Sequence, residues 1–284
     1  MMKLFISRLL GFVILRYRQS RFNNERNGRF LAMVASRLSR FVVDREPKLV
    51  THRGIVLEAD PAEIIGFSLI VGNSFESEVE SLLERFVTDG TTCLDIGANI
   101  GYHTLPMAWL VGEAGRVIAV EPSQWALERL YRNLERNPEI RERVSVVEGL
   151  LSDRVEVSTC AVQASYPMNG KEPKTELIRF QTLTLDGVLK DLKIDQMHFI
   201  KCDVDGAEPT VLLGAKSTLV RWKPQMLLEV TPYVWDQDAK SQIVELFESL
   251  DYKIYDVYSR PITQFSEYLD NLRTKRTSSV VLLS

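Results

Sequence analysis

The feature that most constrains this 284-residue chain is a glycine turn that follows an apolar run. Residues 93–104 read Cys-Leu-Asp-Ile-Gly-Ala-Asn-Ile-Gly-Tyr-His-Thr, with glycines at Gly97 and Gly101 and an acid at Asp95. Glycine accepts dihedrals that a Cβ forbids and lets the backbone approach a ligand closely. A second acid, Glu121, ends the next apolar run and lies 20 residues beyond Gly101. Open α/β folds place a ribose-binding carboxylate at this distance, so the segment predicts a nucleoside site.

The spacing of the glycines favours a cofactor without phosphates. A dinucleotide fold requires G-x-G-x-x-G, so that a pyrophosphate can rest on the helix N-terminus. Asn99 stands where the second close glycine would be needed, and the Asp95 carboxylate would repel phosphates but attract a cation. S-adenosylmethionine (SAM) fits, because it carries a sulfonium, an amino group and a ribose. A nicotinamide-dependent dehydrogenase is disfavoured, and a strand-loop-helix turn with a buried acidic cap is the non-functional alternative.

Several motifs in order resemble the FkbM-type family of SAM-dependent methyltransferases, which are mostly sugar and polyketide O-methyltransferases. The resemblance covers roughly residues 70–230 and is strongest at residues 200–208, Ile-Lys-Cys-Asp-Val-Asp-Gly-Ala-Glu. The other matching segments are residues 75–76, 95–101, 120–123, 184–186 and 227–229. Two positions depart from the family pattern. The family usually has Glu where this chain has Asp205, so a candidate catalytic carboxylate has a shorter side chain here. The family also has a segment Asn-x-Ala where residues 148–151 read Glu-Gly-Leu-Leu, and this difference weakens the assignment of an adenine contact.

The candidate cofactor residues follow from these motifs. Glu121 is expected to accept hydrogen bonds from both ribose hydroxyls, and Asp95 to bind the methionine amino group directly or through water. Asn99 is expected either to anchor the loop or to contact the methionine carboxylate. Glu76 is expected to close over the methionine end, with a helix cap as the alternative. The predicted cofactor set is Glu76, Asp95, Gly97, Ala98, Asn99, Gly101, Glu121, Ser123, Glu148 and Gly149.

A second group of residues is predicted to act on the acceptor. A hydroxyl has a pKa far above neutrality, so a base must take its proton as attack develops. Asp203 is the predicted base, while Asp205 or Glu208 orients the substrate or holds the turn between them. His103 is expected either to act at the site, as a base or a cofactor contact, or to be structural. The predicted catalytic residues are Asp203, Asp205 and His103, and the predicted substrate residues are Glu208, Glu229, Tyr233 and Trp235.

Alternatives stay open for several of these residues. Tyr233 and Trp235 are expected to stack on a sugar ring or to be ordinary loop packing, and Lys201 to pair with a neighbouring acid. Two acids two residues apart are weak evidence for a divalent cation, so no metal is predicted.

Charge is distributed unevenly along the chain. Residues 1–50 hold eleven Lys or Arg against three acids, a net charge of +8, so the rest carries −11. The sequence of this extension predicts two basic amphipathic helices. They are expected to lie on an anionic membrane surface, on the body of the protein or against a second subunit. The first apolar run of the extension is shorter than the about 20 residues that span a bilayer. Three scattered cysteines favour a reducing, cytoplasmic location, and the acidic remainder favours no nucleic-acid partner.

The rest of the chain predicts one large domain with a small lead-in. Residues 51–90 are predicted as a β or helical lead-in or lid with strands at residues 54–58 and 64–71, and residues 91–284 as the SAM-binding domain. Alternating strands and helices predict a doubly wound parallel sheet. The last two strands have no clear helix between them, which suggests an antiparallel final strand. Residues 152–181 are predicted to be irregular, with a mobile substrate loop at residues 165–174.

With the resemblance, this pattern predicts an α/β Rossmann-like class I methyltransferase fold. Its sheet is expected to have seven strands, mostly parallel with one antiparallel, and helices on both faces. The leading functional hypothesis is SAM-dependent O-methylation of a hydroxyl on a glycan or related small molecule. N- or carboxyl-methylation and a non-catalytic SAM-fold adaptor recruited through the basic N-terminus are the alternatives.

Overall fold

A computed structural model describes residues 46–72, 74–163, 175–272 and 278–284. The two predicted basic helices and the predicted loop at residues 165–174 lie outside the described residues, so their proposed roles stay predictions. The described elements are, in chain order, β1 (Lys48–His52), β2 (Ile55–Ala59), α1 (Ile64–Ile70), α2 (Ser77–Phe86), β3 (Thr92–Ile96), α3 (Thr104–Leu110), β4 (Arg116–Glu121), α4 (Gln124–Glu135), α5 (Pro138–Arg141), β5 (Val144–Glu148), β6 (Val157–Gln163), β7 (Thr175–Gln181), α6 (Leu185–Asp191), β8 (Phe199–Cys202), α7 (Glu208–Leu213), α8 (Lys216–Trp222), β9 (Gln225–Val230), α9 (Gln237–Ser249), β10 (Lys253–Asp256), β11 (Pro261–Ile262), α10 (Phe265–Asn271) and β12 (Ser278–Leu283).

The lead-in consists of the β1–β2 hairpin followed by α1 and α2. The hairpin starts at Lys48, inside the range predicted for the basic extension. The strand predicted at residues 64–71 is wrong, because this segment forms α1. A short apolar run fits a buried strand or a buried helix equally well. Gly66 lets the helix approach the preceding chain, since a Cβ there would lie 2.2 Å from the backbone oxygen of Asp60.

Helix α4 and the two residues that follow it hold the lead-in against the core. The side-chain oxygens of Asn133 and Asn137 accept hydrogen bonds from the backbone N–H groups of Glu58 and Val56, at 2.8 and 2.9 Å. Arg132 and Arg136 each lie 2.9 Å from the Glu58 carboxylate. The amides thereby satisfy strand groups that an uncovered sheet edge would leave unpaired. This docking fixes β2 of the lead-in against the core.

The core is an eight-stranded sheet in the order β11-β10-β12-β9-β8-β3-β4-β5. The five strands from β9 to β5 are mutually parallel, whereas β12 runs antiparallel to both β9 and β10. This confirms the predicted fold class, and the eighth strand is the two-residue β11. The sequence predicts no helix before the final strand. This prediction is wrong, because α10 lies between β11 and β12 with Phe265 and Leu269 buried.

Both faces of the sheet are covered by apolar residues. Leu94 and Ile118 belong to one buried layer, whereas Cys93 and Val117 belong to the other. Such two-sided burial is typical of parallel sheets with helices on both faces. Among the described helices, none combines the length and the apolar character that crossing a membrane requires.

The segment predicted to be irregular contains a separate hairpin of β6 and β7, paired antiparallel from Val157 with Gln181 onward. That prediction is wrong for these two strands. The inward positions of β6 include Ser158 and Cys160, which line the cavity, so its pattern lacks the apolar alternation that identifies a half-buried strand.

Candidate active site

A cavity of about 1090 Å³ opens where β3, β4, β8 and β9 end. Ligands of open α/β sheets bind beyond the carboxyl ends of the strands, and small-ligand sites typically measure roughly 300–1,000 Å³. The cavity therefore has the volume for a cofactor and an acceptor together. It is lined by the predicted residues Glu76, Gly97, Ala98, Asn99, His103, Glu121, Gly149, Asp203, Asp205 and Glu229.

The glycine turn forms one wall of the cavity. Gly97 has a φ of +80°, and a Cβ there would lie 1.9 Å from the backbone oxygen of Asp203. The N–H groups of Gly97 and Ala98 both donate to the carbonyl of Val120, at 3.0 and 3.1 Å. Asn99, with a φ of +51°, accepts a hydrogen bond on its side-chain oxygen from the next backbone N–H. The turn is thus fixed by its own backbone against the tips of β4 and β8.

Gly101 does not line the cavity, and its assignment to the cofactor stays a prediction. Its φ is +89°, and a Cβ would lie 2.5 and 2.7 Å from side-chain atoms of Leu105 and Leu130. The missing side chain therefore serves helix packing.

Glu121 lies at the tip of β4 with only 6% of its surface exposed. Its two carboxylate oxygens accept hydrogen bonds from the backbone N–H groups of Asn99 and Ser123, each at 2.8 Å. Burial raises the pKa of Glu121 to about 7. Each oxygen retains a lone pair, so the carboxylate is suited to accept hydrogen bonds from two adjacent hydroxyls such as those of a ribose. This donor and acceptor pattern fits the nucleoside end of SAM.

Two residues beside Glu121 do not reach the cavity. Ser123 is completely buried, and its hydroxyl accepts from the backbone N–H of Ala126 at the start of α4. Glu148 is exposed and accepts a hydrogen bond from the Tyr131 hydroxyl at 2.7 Å. The structure therefore does not bring Ser123 and Glu148 to the cavity, and their cofactor contacts stay predictions, whereas the neighbouring Gly149 does line the cavity.

Asp95 is completely buried and does not line the cavity. It accepts a hydrogen bond from the Thr104 hydroxyl at 2.6 Å and lies 3.3 Å from the Lys201 ammonium. In this structure both neighbours of Asp95 lie within the protein, and its contact with the cofactor, direct or through water, stays a prediction. Its carboxylate fixes the cation at the centre of the site.

Lys201 lies between the buried Asp95 and the cavity-lining Asp203. Its ammonium lies 3.3 Å from Asp95 and 3.5 Å from Asp203, which confirms its predicted pairing with an acid. Burial alone would lower the pKa of Lys201, but the charges of the two aspartates raise it above its usual value. Lys201 therefore remains a cation and is no nucleophile.

Asp203 and Glu229 form a carboxyl pair at the cavity wall. Burial opposes the ionisation of Asp203, but Lys201 and a hydrogen bond with Glu229 hold its pKa below the usual value. Burial, followed by the negative charge of Asp203, raises the pKa of Glu229 to about 10. At neutral pH the pair therefore holds one proton, with Glu229 donating to an ionised Asp203.

Glu208 holds the turn that follows β8. It is completely buried and accepts hydrogen bonds from the backbone N–H groups of Val204 and Gly206, at 3.0 and 3.1 Å. Its predicted contact with substrate is wrong, whereas the alternative of a turn-holding residue is confirmed. The turn places Asp205 at a φ of +54° on the cavity lining.

Glu76 and His103 meet at another part of the lining, where His103 Nε2 lies 2.8 Å from the Glu76 carboxylate. Glu76 precedes α2 without capping it through its side chain. The adjacent Tyr102 hydroxyl donates to Glu80, which is also bonded to His52 at 2.7 Å. Burial opposes the ionisation of Glu80, yet these hydrogen bonds lower its pKa to about 2. The lead-in is thus tied by charge to the cavity border, while the roles of Glu76 and His103 stay predictions.

The two predicted aromatic substrate residues do not line the cavity. Trp235 is only 7% exposed and packs in a buried apolar layer, so its predicted role in sugar stacking is wrong. Tyr233 is exposed, but it stands outside the lining.

Sequence reasoning missed several lining residues. Ser278 and Ser279 begin β12, whose antiparallel direction brings its start to the edge where the parallel strands end. Tyr258 lies in the turn after β10, and Ser158 and Cys160 belong to β6. The antiparallel final strand was the signal that would have found the serines. In the described residues, no group of three or more His, Cys, Asp or Glu side chains is arranged to hold a metal ion.

Comparisons with known proteins agree with this geometry. The model of the Methyltransferase FkbM domain matches residues 95–254, and that of the Protein-L-isoaspartate(D-aspartate) O-methyltransferase family matches residues 32–151. None of the curated proteins matches the chain.

Three solved structures illustrate the structural similarity. TYW2 from M. jannaschii in complex with AdoMet is 13% identical, with a TM-score of 0.47 over 84% of this chain and 85% of that chain. Fibrillarin from Aeropyrum pernix with natively bound S-adenosyl-L-methionine is 14% identical, with a TM-score of 0.43 over 73% and 74%. Methyltransferase FkbM from Methylobacillus flagellatus KT is 16% identical, with a TM-score of 0.44 over 80% and 56%. Because the FkbM model spans more than half of the sequence, the chain belongs to the FkbM methyltransferase family and is a SAM-dependent methyltransferase.

Proposed function

We propose that this methyltransferase acts on a hydroxyl group of a glycan or related small molecule, with Asp203 accepting the hydroxyl proton. The observation that carries the proposal is the carboxyl pair of Asp203 and Glu229 on the cavity wall, with the Lys201 ammonium 3.5 Å from Asp203; the lowered pKa of Asp203 and the raised pKa of Glu229 agree with this arrangement. A hydroxyl is a weak nucleophile until its proton is accepted, and a positioned carboxylate supplies that acceptor.

The charges of this wall favour a hydroxyl over the other two acceptor classes. Asp203, Asp205 and Glu76 all line the cavity. Nearby carboxylates stabilise the ammonium form of an amine, which has no lone pair to attack with. An acceptor carboxylate would be repelled by the same charges. A neutral hydroxyl avoids both penalties and finds hydrogen-bond acceptors.

Each end of the cavity has a separate task in this proposal. Bound SAM supplies a methyl group on a positively charged sulfur. Glu121 would hold the ribose hydroxyls, and the backbone of Gly97, Ala98 and Asn99 would line the same end. Lys201 and Glu229 keep the Asp203 carboxylate in one orientation, so that it can fix the acceptor hydroxyl for in-line attack.

The test is turnover of isotopically labelled SAM by the purified full chain with three acceptor panels, which are neutral glycans, amines and carboxylates. We expect label on a neutral glycan in a linkage that survives mild alkali and is identified by NMR as a methyl ether. An alkali-labile methyl ester, or label on nitrogen, would overturn the proposed acceptor class.

A further inference from the structure

The turn between β10 and β11 carries an exposed aromatic ring at the border of the cavity. Tyr258 lines the cavity although 65% of the residue is exposed. The Asp256 carboxylate accepts hydrogen bonds from the backbone N–H groups of Tyr258 and Arg260, each at 2.9 Å, and from the Arg260 side chain. The Arg260 guanidinium lies 5.4 Å from the centre of the Tyr258 ring. The ring therefore stands on a cross-linked turn.

This turn is also joined to α2. The Arg85 side chain, in the last turn of α2, donates to the Ser259 hydroxyl at 3.0 Å. Glu76 and Glu78, at the other end of the same helix, line the cavity. The helix and the turn thus border one opening, which gives the aromatic ring a fixed position relative to the site.

Tyr258 is far from the proposed site of methyl transfer. Asp203 follows β8, whereas Tyr258 follows β10, and β9 and β12 lie between these strands. Three strand spacings correspond to about 14 Å across the sheet. A single sugar ring whose hydroxyl contacts Asp203 would not extend to Tyr258.

Polar side chains line the path between the two residues. Glu229 on β9 pairs in register with Ser279 on β12, and both line the cavity together with Ser278. The hydroxyl groups of a sugar match such acceptors and donors, whereas its C–H face is apolar and packs against an aromatic ring. A tyrosine offers this apolar face with little conformational entropy to lose.

From this arrangement we propose that Tyr258 is a binding platform for a second sugar ring, so that the acceptor is a glycan of at least two units. The inference rests on the proposed hydroxyl methylation and adds the length of the acceptor to it. The unit being methylated lies at Asp203, and a neighbouring unit lies on the Tyr258 ring.

The test measures binding of the full chain, saturated with S-adenosylhomocysteine, to immobilised neutral hexose and N-acetylhexosamine oligomers of one to four units. We expect wild type to bind oligomers of two or more units, and Tyr258→Ala to lose about tenfold in affinity, the scale of one stacking contact. Tyr258→Phe keeps the ring and is expected to bind like wild type. Trp109→Ala, which removes an exposed aromatic outside the cavity lining, is the matched control.

Affinity for S-adenosylhomocysteine reports whether each variant is folded, and Tyr258→Leu replaces Tyr258→Ala if the latter fails that check. Equal binding of monomers and longer oligomers, equal binding by Tyr258→Ala, or no binding to any oligomer would overturn the platform. Bound oligomers are then incubated with labelled SAM. A methyl ether whose formation does not depend on Tyr258 would overturn the platform but leave the proposed hydroxyl methylation standing. Label on nitrogen would overturn the proposed hydroxyl methylation but leave the platform standing.

Discussion

The two ends of the cavity are built in different ways. At the cofactor end, backbone groups of the glycine turn bond to Val120 and Glu121 on the neighbouring strand. At the acceptor end, side chains do this work: the Lys201 ammonium lies 3.5 Å from Asp203, and the protonated Glu229 of the neighbouring strand β9 donates to Asp203. Backbone geometry survives most substitutions, whereas a charge pair depends on two particular side chains. Single substitutions should therefore affect the two ends separately. Removing a charged side chain at the acceptor end should lower turnover by more than a substitution at the cofactor end lowers the affinity for SAM.

The largest effect is expected for Asp203→Asn, which removes the proposed proton acceptor. Turnover should fall about 10²- to 10⁴-fold, the range for loss of a general base. The affinity for SAM should change little, because Glu121 and the glycine turn are untouched. Steady-state kinetics with labelled SAM and calorimetric binding of S-adenosylhomocysteine measure the two quantities separately.

Glu229→Gln is the matched control for this substitution. At neutral pH Glu229 is protonated, because its pKa is raised to about 10, and it acts as a donor to Asp203. A glutamine amide also donates, so turnover should stay within about tenfold of wild type. Equal losses for the two variants would show that Asp203 has no special part in the reaction.

The second prediction concerns Lys201, the cation that lies between Asp95 and Asp203. Lys201→Met leaves the completely buried Asp95 without its cation. Removing one partner of a buried ion pair costs about 3–5 kcal/mol of unfolding free energy, so urea denaturation should show a loss of that size. The double variant Lys201→Met with Asp95→Asn should recover part of the loss. Independent, additive losses would show that Lys201 and Asp95 are not coupled.

A third prediction tests the cofactor end by comparing two acids in register on neighbouring strands. Glu121 pairs with Glu148 between β4 and β5, but only Glu121 lines the cavity. Glu121→Ala should weaken SAM binding about 10- to 100-fold, the range for lost hydrogen bonds to a charged group. Glu148→Ala should leave the affinity unchanged. A loss for Glu148→Ala would restore the contact that the sequence predicted.

The same difference between the two ends explains what the sequence could predict. The turn from Gly97 to Asn99 depends on residues that are close together in the chain, and Glu121 follows at a spacing set by one strand-helix-strand unit. The fold class followed from the alternation of strands and helices.

Features that depend on distant partners were not predictable from local patterns. Asp95 is buried because Lys201, on another strand, pairs with it. Trp235 turns inward to join a buried apolar layer, and no local pattern indicates this direction. The platform residue Tyr258 is brought to the cavity by strand order and by the Asp256 hydrogen bonds.

The smallest predicted effect is a pH dependence of SAM binding that arises at the cofactor end. Burial raises the pKa of Glu121 from 4.5 to about 7, so the free protein binds a proton there below neutrality. Ribose hydroxyls are bound better by the carboxylate than by the neutral acid, so affinity should rise with pH up to about 7 and then level off. The slope below that value is at most about tenfold per pH unit, the limit for one titrating group. The same shift favours the folded, protonated protein at low pH, and this contribution to the free energy of unfolding is lost as the pH rises from 4.5 to about 7.

Calorimetric measurement of SAM affinity from about pH 5.5 to 8 tests the prediction at the cofactor end. The affinity of wild type should depend on pH, and Glu121→Gln should abolish this dependence. Glu229, with a pKa of about 10, does not titrate in this range. A slope that persists in Glu121→Gln would assign the titration to another group and would remove the distinction between the two ends.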